Sequence, residues 1–242
     1  MSPAIPSKII ITGTGRAGTT LLVRLLTELG LDTGYSQKTW RRDFDEHCVA
    51  GLEQNILGEN SPRIVKNPAL CETLPALLAQ GTVSIEHAII PIRALDDAAR
   101  SRIRVGGDGN VPGGLMGTTE ASGQKTVLAE NFHQLVHALT LHEIPHTFLD
   151  FPRFALDVRY AWEKLHPVFE TVGFPDFAAA FARVSNPELI HDFSHAVPQE
   201  VGQPALAYTR NRRRRRWLRH LKHAFVYGFI FAAGWKIALF FS

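Results

Sequence analysis

The sequence predicts an α/β fold: a parallel sheet covered by helices on both faces, followed by a basic and apolar helical tail. Three observations predict it. Short β-branched runs alternate with helical patterns, a glycine-rich turn joins the first run to the first helical pattern, and the composition changes sharply near residue 208. Strands separated by helices favour parallel pairing, because each crossover lays a helix on the sheet. The chain has 242 residues, 45% of them hydrophobic, which suits one α/β domain or two small ones with a sizeable core. That composition excludes a mainly disordered or fibrous protein. Two cysteines, Cys48 and Cys71, exclude a disulfide scaffold and fit a reducing compartment.

Taken in order, residues 1–6 lack a basic stretch and the apolar run after them is short, so no secretory signal is expected. Ile9-Ile10-Ile11, bounded by Pro6 and Gly13, reads as a buried central strand. Leu21, Leu22, Leu25, Leu26 and Leu29 fall at helical spacing, and Gly30 suits the residue just past a helix end. Further strands are expected at residues 63–66, 87–92 and 146–151. Helices are expected at 97–104 and through Leu128, Phe132, Leu135, Val136 and Leu139. Residues 105–124 hold seven glycines and read as a long loop, either a lid over a substrate or a floppy surface segment. Residues 1–192 form the expected domain, 193–209 a linker, and 210–242 the tail.

Between the first strand and helix lies Gly13-Thr14-Gly15-Arg16-Ala17-Gly18-Thr19-Thr20. Such a turn aims backbone N–H groups at the positive end of a helix dipole, a ready site for an anion. The usual nucleotide loop reads G-x-x-x-x-G-K-[ST]. Here Gly13, Gly18 and Thr20 hold that spacing, but Thr19 stands in the Lys position and the cation has moved to Arg16. A P-loop-type sheet is therefore expected, though not an ordinary ATPase or GTPase.

This loop resembles the 5′-phosphosulfate loop of sulfotransferases that use 3′-phosphoadenosine 5′-phosphosulfate (PAPS). Arg16, Gly18, Thr19 and Thr20 match it, and Ala17 departs where that family carries Ser. Arg93, ending the run 87–92, and Ser101 eight residues later resemble the family's 3′-phosphate site. Lys66-Asn67-Pro68 resembles the Lys-x-Pro of carbohydrate sulfotransferases, in which the Lys faces the transferred group. The resemblance spans roughly residues 7–105 and implies PAPS as donor, 3′-phosphoadenosine 5′-phosphate (PAP) as product, and no metal. It implies that Thr14, Gly15, Ala17, Gly18, Thr19 and Thr20 hold the 5′-phosphate, with Arg16 at the bridging oxygen and Lys66 at the sulfonate. The acceptor it implies is a hydroxyl of a carbohydrate or lipid-linked molecule.

Sulfuryl transfer to a hydroxyl needs a general base. Glu46, His47 and Glu53 are the candidates, and Glu53 ranks first because small and apolar neighbours would bury it. His133 and His137 have i, i+4 spacing, but with no Glu or Cys pair beside them no metal site is expected.

The tail changes the charge balance. The whole chain carries 26 Lys plus Arg against 23 Asp plus Glu. Nine of the 26 lie in residues 208–242, which contain no acid, leaving 17 basic against 23 acidic residues in 1–207, a net of −6. Arg212 to Arg216 precede a seventeen-residue apolar stretch, 225–241, interrupted only by glycines, Tyr227 and Lys236. As a helix it spans roughly 25 Å, a little short of a hydrocarbon core. A basic stretch beside it suits anionic lipid, so attachment to the cytoplasmic face of a membrane is expected, and nucleic acid is not. The readings kept open are a PAPS-dependent sulfotransferase, a P-loop kinase with a degenerate loop, and a non-catalytic membrane-tethered protein.

Overall fold

The computed structural model describes residues 5–46, 48–106 and 113–190. Among them, four parallel strands form the main sheet: β1 (Ser7–Ile11), β4 (Ile64–Lys66), β5 (Ser84–Ile92) and β6 (His146–Asp150), in spatial order β4-β1-β5-β6. A two-stranded antiparallel ribbon, β2 (Phe44–Asp45) and β3 (Ala50–Gly51), stands apart from it. The helices are α1 (Thr19–Glu28), α2 (Leu70–Ala79), α3 (Leu95–Val105), α4 (Gln124–Leu141), α5 (Arg153–Leu156), α6 (Val158–Leu165) and α7 (Phe174–Val184).

Side chains alternate across a strand, and here both sets are apolar. Ile9, Ile11, Ile64 and Ile89 join Leu22, Leu25, Leu26, Leu165 and Phe177 on one face, the face of α1, α6 and α7. Ile10, Val65, Ala88 and Ile90 join Leu74, Leu128, Leu135 and Leu139 on the other, beneath α2, α3 and α4. That two-sided burial is why the strands read as unbroken apolar runs instead of alternating ones. Each fully buried Leu or Ile is worth roughly 1.5–3 kcal/mol relative to exposure.

The expected elements are present with shifted ends. The strand expected at 87–92 begins at Ser84, and the helix expected at 97–104 runs from Leu95 to Val105. Gly30 follows α1 in the left-handed conformation at φ 75° and donates to the Thr27 carbonyl. The described second half of the 105–124 loop is packed down. Leu115 and Met116 are buried, and the Gln124 amide bonds both backbone groups of Met116 at 2.8 and 3.0 Å. No helix among the described residues is long and apolar enough to cross a membrane. The expected linker and tail lie outside the described residues.

The strand order positions the site. The chain leaves β1 for β4 on one side, then crosses to β5 on the other. In open parallel sheets, ligands bind beyond the carboxyl ends of the two strands where the winding direction reverses. Here those strands are β1 and β5. The glycine-rich loop follows β1, and Arg93 follows β5.

Candidate functional site

The loop from Gly13 to Gly18 opens into α1. Gly18 caps that helix without a side-chain hydrogen bond, and the first turn of α1 contains no acid. Among the described residues, none of the backbone N–H groups from Gly13 to Thr20 donates to a protein acceptor. Open donors at a helix N-terminus form a site of positive potential.

Four cations gather there. Arg16 is held by the 2.9 Å bond from its Nε to the Ser101 hydroxyl and the 2.6 Å bond from Nη1 to the Cys48 carbonyl. Arg93 donates to the Arg16 carbonyl at 3.2 Å and lies over the Phe151 ring at 5.2 Å. Lys66, 1% exposed, donates to the Gly51 carbonyl at 2.6 Å, to the Thr20 hydroxyl at 3.4 Å and to a Glu53 carboxylate oxygen. Arg102, 5% exposed, bonds the carbonyls of Thr14 and Gly114.

Burial is the first cause pulling the Arg16, Lys66 and Arg102 side chains below their ordinary values, Arg102 to about 10. The cations also act on one another: Arg93 lowers Arg16, while Arg16 and Arg102 lower Lys66. Opposing this, Glu53 raises Lys66. Mutual repulsion between buried cations is costly, and a bound polyanion would offset it.

Thr14, Gly15, Arg16, Ala17, Gly18, Thr19 and Thr20 form the turn and the start of α1. Arg93 and Ser101 do converge, but on Arg16: Ser101 accepts from its side chain and Arg93 bonds its carbonyl. Lys66 ends β4, and its ammonium reaches the start of α1.

Glu53 departs from the expected burial. Its side chain is 34% exposed. Gly51 and Leu52 both have positive φ, and the bend turns Leu52 inward, 1% exposed, leaving Glu53 to reach back to Lys66. Glu46 is exposed, and His47 lies outside the described residues. The rings of His133 and His137 stack 6.4 Å apart and nearly parallel, and no metal-holding group of three ligands occurs among the described residues.

Arg102 is the site residue that sequence reading missed. It follows Ser101 in a helix rich in arginine, and no spacing separates it from Arg100 or Arg104, both exposed. The ribbon β2–β3 was also missed, although its carbonyls at Cys48 and Gly51 hold Arg16 and Lys66.

Comparison with family models, curated proteins and solved structures finds no match to this chain.

Proposed function

We propose that this chain is a sulfotransferase on a P-loop-type fold, moving the sulfuryl group of PAPS to a hydroxyl of a carbohydrate or lipid-linked acceptor. The observation that carries the reading is the gathering of Arg16, Lys66, Arg93 and Arg102 around an acid-free helix N-terminus at the point where the sheet winding reverses. A nucleotide with phosphates at both its 3′ and 5′ positions matches that surplus of positive charge.

In the proposed reaction the acceptor oxygen attacks sulfur, the bond from sulfur to the bridging oxygen breaks, and PAP leaves. Charge grows on that bridging oxygen, so positioning and fixed cations carry most of the catalysis. Arg16 supplies one such cation within the loop. Lys66 sets an ammonium 3.4 Å from the Thr20 hydroxyl, where an ordinary nucleotide loop would place Mg²⁺. In this reading the N–H groups of residues 15–20 bind the 5′-phosphate, and Arg93 with Ser101 binds the 3′-phosphate. Glu53, partly exposed, takes the acceptor's proton and sits one hydrogen bond from Lys66. The reading requires no metal. Attachment to an anionic membrane surface on the cytoplasmic side, through residues 208–242, is the accompanying proposal and rests on the sequence alone.

Titration calorimetry with PAP tests the donor. Arg16→Ala and Arg93→Ala are each expected to weaken binding by roughly tenfold or more, the scale of a lost charge-assisted bond. Unchanged affinity in both variants sinks the assignment. Tighter binding of Mg²⁺-ATP than of PAP favours a kinase instead.

A further inference from the structure

Arg102 makes three hydrogen bonds to two backbone carbonyls and buries its head group to make them. Nε and Nη2 both donate to the Thr14 carbonyl, at 2.9 and 2.6 Å, and Nη1 donates to the Gly114 carbonyl at 2.5 Å. A peptide unit is planar and trans, so its C=O and N–H point in opposite directions. The Thr14 carbonyl shares its peptide with the Gly15 N–H. Pinning the carbonyl to Arg102 therefore turns that N–H away from α3. Arg93 treats the Arg16 carbonyl similarly, and so turns the N–H of Ala17. Neither N–H donates to a protein acceptor among the described residues.

We propose that Arg102 is a positioning residue whose forked guanidinium aims the Gly15 N–H into the loop as a donor to the 5′-phosphate. The proposal rests on the donor reading above. Two bonds from one planar fork hold the Thr14 carbonyl oxygen at a fixed place on the guanidinium edge, a geometry that one ammonium bond does not reproduce. The positive charge also polarises the peptide, making its N–H a better donor. Gly15 fits this arrangement. At φ 68° it is in the left-handed region, and a side chain there would run into the Arg102 head group. The bond to Gly114 ties the buried pair Leu115 and Met116 to the same guanidinium, so one side chain braces both segments.

The test is calorimetry on the full chain carrying Arg102→Lys, which keeps the charge and loses the fork. PAP is compared with adenosine 3′-phosphate, which lacks the 5′ group, and with inorganic pyrophosphate, which needs only the loop. Arg102→Lys is expected to weaken PAP and pyrophosphate roughly tenfold and to leave adenosine 3′-phosphate within about twofold. Equal weakening of both nucleotides overturns the positioning role, as does PAP affinity equal to that of the parent chain. If Arg102→Lys does not fold, as judged by its thermal melt, Arg102→Gln replaces it with the same pattern expected. A parent chain that binds pyrophosphate but not PAP sinks the donor reading alone. Arg102→Lys is then judged on pyrophosphate: a tenfold loss supports the role and no change overturns it. Binding of none of the three probes by the parent chain overturns both proposals.

Discussion

Lys66 shows how one residue ties stability to chemistry. Its side chain is 1% exposed and its neighbours include Arg16 and Arg102, and Glu53 is the opposite charge that favours its ammonium form. Glu53→Gln keeps the hydrogen-bond acceptor and removes the charge. An ammonium left buried beside two guanidiniums then costs about 1–3 kcal/mol near neutral pH. The sign of the pH dependence follows from the direction of the Lys66 shift. Its value in the folded state lies below the ordinary one, so between the two the unfolded chain binds more protons and stability rises with pH. Removing Glu53 pulls Lys66 down further, which widens that window. Thermal melts at pH 7 and pH 9.5 should therefore show Glu53→Gln well below the parent chain at pH 7 and closer to it at pH 9.5. A deficit that grows with pH contradicts the pairing. The two lysine-site partners were unequally legible in the sequence. Lys66 stands at a strand end within a three-residue pattern, whereas the orientation of Glu53 depends on positive φ at Gly51 and Leu52, which residue spacing does not reveal. Arg102 was illegible for a related reason. Burial of one arginine among three on a helix is decided by what packs on that face, here Gly114 and the glycine-rich loop at Thr14.

At the scale of elements, the long apolar strands and helices could be read directly, because burial on two faces leaves a strong pattern. The ribbon β2–β3 could not. Its strands are two residues each, too short for a period, yet it supplies the Cys48 carbonyl to Arg16 and the Gly51 carbonyl to Lys66. Gly51 is its weak point. With φ at 114° and the Asp43 carbonyl oxygen where a Cβ would stand, it has no room for a side chain. Gly51→Ala should cost about 2 kcal/mol in backbone strain, which for a domain of this size lowers Tm by roughly 4–8 °C. Because the Gly51 carbonyl anchors Lys66, the variant should also lose PAP affinity when measured well below its new Tm. A loss of Tm with PAP affinity intact would show that the ribbon shapes the fold and not the site.

For the whole molecule, the uneven charge distribution is the governing feature. Residues 1–207 carry 17 basic against 23 acidic groups, so cations brought together at the loop stand out against an acidic background. Residues 208–242 carry nine basic groups and no acid, eight of them ahead of an apolar stretch and Lys236 within it. Two forces can hold such a tail to anionic lipid, and salt separates them. Attraction of basic side chains to headgroups is worth about 1 kcal/mol each near the surface and falls away beyond the Debye length, about 3 Å in 1 M salt. Burial of apolar side chains is not screened by salt. The full chain is therefore expected to pellet with cell membranes and to stay there through a 1 M NaCl wash, while a chain lacking residues 208–242 stays in the supernatant. Release by salt would assign the attachment to the arginines alone. If both chains remain soluble from the outset, the membrane proposal fails, and the donor reading, which rests on Arg16, Lys66, Arg93 and Arg102, is left standing on its own test.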